Sequence, residues 1–241
     1  MTPTDSLAEA NHRASNDSMN GNAMATITCK CNSVCITFPA NEELFRHECC
    51  CYDCISALWY STRRGGPAYP HDLCADCCWL PNDFHIERGA DRIGAFMNFA
   101  SADTTRFYCD SCWTLLFGDH PAYERGILVS QVAAYKEFEG LTDIVRMKPQ
   151  ARHFLKDLSE DQVKALPPWS GDQDHVSQGV AEILLENFPA MKAEGGEGSE
   201  MNAQILLREI GGAFIPDDEA RLSSGPPSHA RQTSLREGNG S

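Results

Sequence analysis

From Thr26 onward, apolar and polar residues alternate. Ile27, Val34, Ile36 and Phe38 sit among polar neighbours, and Pro39 closes the run. Such alternation predicts short strands on either side of a turn that contains cysteines. Further apolar runs of strand length occupy residues 56–60, 92–99, 106–108 and 126–132. Together they predict an all-β, loop-rich domain over residues 24–170. It ends near Trp169, where Pro167, Pro168 and Gly171 mark a boundary.

Beyond that boundary the period changes. Val176, Val180, Ile183, Leu184 and Phe188 fall at offsets of 4, 7, 8 and 12, one apolar face of a helix. Ala203, Leu206, Leu207 and Ile210 predict a second, shorter helix, with a Gly- and Glu-rich joint at 194–198 between the two. Residues 1–23 are polar and rich in Asn and Ser, and residues 223–241 are similar in character, so both ends are expected to be disordered. Residues 171–241 therefore read as an acidic, partly helical and partly disordered tail. The plainer expectation is that it is loosely attached; docking on the domain or on a partner is the alternative.

Charge narrows the function classes. The formal net charge is −14, and residues 171–241 hold 12 acidic against 5 basic residues. No segment concentrates Lys and Arg as displacement of counterions from a phosphate backbone requires, so neither nucleic acid nor an anionic membrane is an expected partner. No apolar run approaches the ~18 residues of a membrane-spanning helix. The first residues lack a basic start followed by an apolar block, which points to a cytoplasmic protein. Twelve cysteines in a reducing compartment suggest metal before disulfides.

Cysteine spacing decides which sulfurs can share an ion. Residues i and i+2 of an extended chain point to one side, so Cys49 and Cys51 converge while Cys50 faces away. The turn from Cys51 to Cys54 brings a third sulfur to the same point. Three thiolates leave a tetrahedral site one ligand short, the arrangement of a catalytic rather than a closed centre. The competing possibility is a second structural site completed by Cys50, Cys74 or His47. Cys29 and Cys31 on one strand, with Cys109 and Cys112 from a later turn, make a complete four-sulfur set that clasps the two ends of the β-domain. Zinc suits four soft thiolates at a tetrahedral centre, with iron–sulfur as the competitor. Cys35 reads as a packed thiol, Cys74 and Cys77 read equally as ligands or packed thiols, and Cys78 has no assigned role. His47, His71, His85, His120 and His153 show no mutual spacing that suggests a pair. Arg106 reads equally as an anion holder at the site or as a strand salt bridge.

The order of these motifs resembles the glutathione-dependent formaldehyde-activating enzyme and centromere protein V family. C-x-C is followed by C-x-C-x-x-C, then by Arg106-Phe107-x-Cys109-x-x-Cys112 and Leu115-Leu116-Phe117-Gly118; Leu80-Pro81-Asn82-Asp83-Phe84 is similar to that family's middle segment. The resemblance spans residues 24–170 and implies a zinc-organised β-tent. It implies two zinc ions, a structural one on Cys29, Cys31, Cys109 and Cys112 and an active-site one on Cys49, Cys51 and Cys54. It further implies carbon–sulfur lyase chemistry on a thiol (glutathione)–aldehyde adduct such as S-hydroxymethylglutathione. A non-catalytic zinc module that binds a protein partner is the alternative. Four positions depart from the family pattern: Asn32 and Trp113 replace glycines after the cysteine pairs, Cys50 stands where His is common, and Ile55 replaces a basic residue. Asn tolerates the left-handed backbone of a tight turn, whereas Trp is a much larger change there. Loss of basic residues at the site mouth weakens attraction for an anionic thiol.

Overall fold

A computed structural model describes residues 24–39, 45–69, 71–131, 137–139, 148–171, 175–186 and 201–217. The expectations for residues 1–23, Phe188, the joint at 194–198 and residues 223–241 lie outside them.

The chain is mainly β, in two sheets. Strands β1 (Met24–Thr28), β2 (Cys35–Pro39), β5 (His85–Arg88) and β10 (Glu137–Glu139) form a four-stranded sheet in the order β10-β1-β2-β5. The larger sheet runs β11-β3-β4-β9-β8-β7-β6. Its strands are β3 (Arg46–Cys49), β4 (Ala75–Pro81), β6 (Ile93–Phe96), β7 (Thr105–Cys109), β8 (Leu115–Asp119), β9 (Ile127–Gln131) and β11 (Ala151–His153). Apolar side chains of both sheets, among them Ile27, Ile36, Phe38, Phe107, Leu116 and Leu128, share one buried cluster. Most pairings are antiparallel, whereas β11 joins β3 in parallel.

Residues 56–60, expected as a strand, belong instead to a helix, α1 (Tyr52–Arg63). A short apolar run fits a buried strand or a buried helix equally by period, and here the flanks decide. Cys51 is the N-cap, its sulfur accepting from the Cys54 backbone N–H at 3.3 Å. Asp53 in the first turn and Arg63 in the last complement the helix dipole. Arg64 and Gly65, the latter at φ 97°, end it. Ala57, Leu58 and Tyr60 then pack on Cys49, Ala75, Cys77, Phe96, Tyr108 and Leu115, a second cluster on the large sheet.

The described part of the tail is docked, against the plainer expectation. Ala181, Leu184, Ala203 and Leu206 belong to the main buried cluster. The helix Ala203–Glu209 is capped by Asn202. It is tied down by fully buried Asn82, whose Oδ1 accepts from the Ala203 N–H at 2.8 Å while its Nδ2 donates to Gln204 at 3.1 Å. The first tail helix starts later than its apolar spacing suggests: among residues 175–186, only 182–186 are helical. Val176 lies instead in an extended stretch bridged in parallel to Arg152, with Ser177 N–H donating to the Arg152 carbonyl at 2.9 Å and Phe154 N–H to that of Gly179 at 2.7 Å. At the opposite end Phe214 bridges Phe96. The two outermost strands of the large sheet, β11 and β6, are thus both covered by the tail. That blunts edges which would otherwise offer unpaired backbone groups.

Candidate metal centres

Two turns build the four-sulfur cluster. After β1, the Asn32 N–H closes on the Cys29 carbonyl at 2.8 Å; after β7, the Trp113 N–H closes on that of Cys109 at 2.8 Å. Asn32 (φ 66°) and Trp113 (φ 55°) both have the left-handed backbone that glycine would adopt most easily. Trp113 is held there by its surroundings. It stacks on Tyr108 with centroids 4.3 Å apart, meets Tyr60 edge-on, lies 4.8 Å under the Arg64 guanidinium, and accepts from Ser61 Oγ through its carbonyl at 2.5 Å. A register shift in β7 between Phe107 and Tyr108 precedes the second turn.

The sulfurs of Cys29, Cys31, Cys109 and Cys112 lie within 4.8 Å of one another. Cys29 to Cys31 is 3.5 Å and Cys31 to Cys109 is 3.7 Å. Tetrahedral coordination with metal–sulfur bonds of about 2.3 Å separates sulfurs by about 3.8 Å, so the donor set and its spacing fit a thiolate-bound ion such as zinc. A hydrogen bond from Cys109, helped by the Val34 N–H, brings the Cys29 thiol down to about 4 against the cost of burial.

The second cluster sits where β3 runs into α1. Cys49, Cys51 and Cys54 bring their sulfurs within 4.8 Å of one another, which could also hold a metal ion. Hydrogen bonds from Cys49, Cys51 and Cys77 hold the Cys54 thiol well below the ordinary thiol range, with burial opposing and Arg106 assisting. Arg106, itself buried, donates to Asp53 Oδ2 at 2.7 Å and lies 3.8 Å from the Cys54 sulfur. Of the two sequence readings of Arg106, the salt bridge is present, made to Asp53 of α1. Asn98 holds the other Asp53 oxygen at 2.6 Å.

Cys50 stands apart from this cluster. It is fully buried, it does not line the adjoining cavity, and burial pushes its thiol up to about 12. Cys74 is buried with its thiol likewise near 12, and Cys35 is buried and accepts from Thr28 Oγ1. Of the candidates for a fourth ligand, His47 faces the cavity, whereas Cys50 and Cys74 do not. Cys77 is a neighbour the sequence left undecided. It lies on β4 opposite His47, lines the cavity, and accepts from Gln131 Nε2 at 3.3 Å.

The trio opens into a cavity of about 520 Å³, within the range of small-molecule sites. Its walls carry Trp79, Phe99, Tyr123, Val129 and Phe154, and the docked tail contributes Val180, Leu184 and Leu185. None of the four cysteines of the other cluster lines it. His47 and His153 do. Parallel pairing of β3 with β11 sets Ala151 beside His47 and His153 beside Cys49, and brings the two imidazoles to 5.1 Å across 106 positions of sequence. Both rings are almost completely buried; among the described residues His47 Nδ1 and both nitrogens of His153 have no hydrogen-bond partner. Burial keeps both neutral, bringing His153 down to about 4. Spacing along the chain cannot reveal this pair, because a parallel strand at a sheet edge creates it.

No family model matches the chain, and no curated protein matches it. Among solved structures, a Rhodobacter sphaeroides protein from a structural-genomics programme matches at 19% identity and a TM-score of 0.33, over 46% of this chain and 87% of that one. At that TM-score the likeness assigns neither family nor activity. No helix among the described residues is long and apolar enough to cross a membrane.

Proposed function

We propose that both sulfur clusters bind zinc: Cys29, Cys31, Cys109 and Cys112 as a closed structural site, and Cys49, Cys51 and Cys54 with one position open to substrate. The protein is then a carbon–sulfur lyase of the formaldehyde-activating type. It joins or separates an aldehyde and a thiol, glutathione or another small thiol, as in S-hydroxymethylglutathione. The observation that supports this is the contrast between the clusters. The trio opens into a cavity of about 520 Å³, and the quartet does not line it. When bound, a zinc ion lowers the pKa of a coordinated thiol and polarises a carbonyl oxygen.

The chain supplies the rest. In the addition direction the sulfur forms a bond to the carbonyl carbon, the carbon–oxygen double bond becomes single, and the thiol proton ends on oxygen. The reverse returns thiol and aldehyde. The N-terminus of α1 points its dipole at the trio, and Arg106 adds a fixed positive charge beside Cys54, so negative sulfur is favoured there. Apolar walls limit water and preserve the adduct.

A non-catalytic zinc module is the second reading, and Cys77 is its support: a fourth thiol hydrogen-bonded to Cys54 on the same cavity wall. Metal content and thiol response separate the two. The enzyme reading expects two zinc ions per chain, a cobalt-substituted protein whose visible spectrum changes with 2-mercaptoethanol, and loss of that response with one metal in Cys51→Ser. Cys50→Ser and Cys77→Ser keep both metals. Metal loss in Cys77→Ser, with no thiol response in the unsubstituted chain, would establish the module instead.

A further inference from the structure

We propose that the compound held at the three-cysteine centre is a neutral, predominantly apolar thiol–aldehyde adduct whose oxygen is hydrogen-bonded by His153 and His47. This deepens the reading of that centre as an open site and rests on it. Within that reading it ranks an aromatic or branched aliphatic thiol and aldehyde above glutathione and formaldehyde.

Volume is the first argument. One water's share of liquid is about 30 Å³, and formaldehyde has two heavy atoms, so it would leave most of a 520 Å³ cavity unfilled. The walls are the second. Trp79, Phe99, Tyr123 and Phe154 present ring surface, and Leu185 from the docked tail brings an exposed apolar side chain to the same space. A ligand that removes this surface from water gains affinity in proportion to its own apolar area.

Charge is the third. Among the described residues no Lys or Arg lines the cavity. Arg106, the guanidinium beside Cys54, is already committed to Asp53. Asp103 lines the cavity as well, and the chain carries −14 overall. Glutathione brings two carboxylates against one ammonium, a net negative charge that would enter this field with no cation among the described lining residues.

The histidines supply the polar complement. Buried polar nitrogens without partners are rare in folded proteins and require an explanation. Here three such atoms belong to two residues, His47 and His153, that both line the cavity beside the sulfur trio. A neutral imidazole offers one N–H and one acceptor nitrogen, so it can receive either a carbonyl oxygen or the hydroxyl of the adduct.

The test uses the full-length cobalt-substituted protein, titrated with benzyl mercaptan and with glutathione while the sulfur-to-cobalt absorption is followed. Benzyl mercaptan should bind at least about tenfold more tightly, a factor equivalent to ~1.4 kcal/mol. Leu185→Arg, at an exposed position, should narrow that ratio by giving glutathione a cation. Adding benzaldehyde to the benzyl mercaptan complex should shift the spectrum again, and His153→Phe should abolish this second shift while thiol binding persists. Glutathione binding as tightly as benzyl mercaptan would overturn the apolar preference and leave the open centre standing. An unchanged aldehyde response in His153→Phe would remove the histidine from oxygen recognition. No spectral response to either thiol would overturn the open centre itself, and this inference with it.

Discussion

One nitrogen of Arg106 donates to Asp53 at 2.7 Å and lies 3.8 Å from the sulfur of Cys54. Arg106 sits on β7, the strand that ends in Cys109 of the four-sulfur cluster, while Asp53 and Cys54 open α1. This ion pair therefore links the strand serving one cluster to the helix serving the other. Both partners are largely removed from water. Removing one charge leaves the other buried and uncompensated, which costs about 3–5 kcal/mol. Arg106→Met is expected to destabilise the fold by about 3 kcal/mol in a denaturant titration. It should also weaken metal retention by Cys54 in a chelator competition. A double variant that also carries Asp53→Asn should recover part of the stability.

Asn32 and Trp113 hold the same left-handed backbone for different reasons, and substitution should separate them. Asn32→Ala is expected to lose about 1–2 kcal/mol from backbone conformation, together with its side-chain hydrogen bond from Arg88. Trp113→Gly relaxes a similar strain but removes the stack on Tyr108 and the contact with Arg64. Aromatic and cation–π contacts contribute about 1 kcal/mol each beyond apolar burial, so Trp113→Gly should still be destabilising. Thermal denaturation of the two variants checks both signs. A Trp113→Gly protein more stable than the parent would show that the aromatic stack does not offset the strain.

Buried thiols make stability depend on alkaline pH. Burial raises the Cys74 and Cys78 thiols to about 12, from an ordinary value of 9.0. In this window the unfolded chain ionises and the folded chain does not. The contribution of these groups is therefore fully present below pH 9 and is lost as pH rises from 9 toward 12. Each group steepens the fall by about 1.4 kcal/mol per pH unit. Unfolding titrations between pH 8 and 11 should show the slope, and Cys78→Ala should reduce it by one group's share. In the native protein at pH 8, iodoacetamide should spare Cys74 and Cys78.

Docking of the tail has a direct measure at Leu206, which is 1% exposed and part of the main cluster. Truncating a buried leucine costs about 2–5 kcal/mol, so Leu206→Ala should lower stability by about 3 kcal/mol in chemical denaturation. A loosely attached tail would leave the midpoint unchanged. Val176→Ala, at a residue 37% exposed, should have little effect in the same experiment.

Local patterns carried much of this protein into view. Alternation around Ile36 and Phe38, the Arg106–Tyr108 run and the 203–210 helical face each correspond to an element of the structure. The i, i+2 rule set Cys49 and Cys51 together and Cys50 apart, because strand side chains alternate whatever the strand packs against. The misread element, residues 56–60, failed for a matching reason. Five apolar-rich residues satisfy a strand or a helix alike, and the choice went to a cap at Cys51 and a sheet face waiting at Cys77 and Tyr108.

By itself the sequence determined the two sulfur groups and the short strands that display them, since spacing and alternation act over a few residues. Only the tertiary structure decided what surrounds those groups. The parallel alignment of β11 with β3 set His153 against His47, and the bridges at Val176 and Phe214 fastened the tail to both sheet edges. Leu184 and Leu185 thereby became cavity wall rather than helix surface. Contacts across a hundred residues depend on which strand edges remain free once the core has closed, and no local period encodes that.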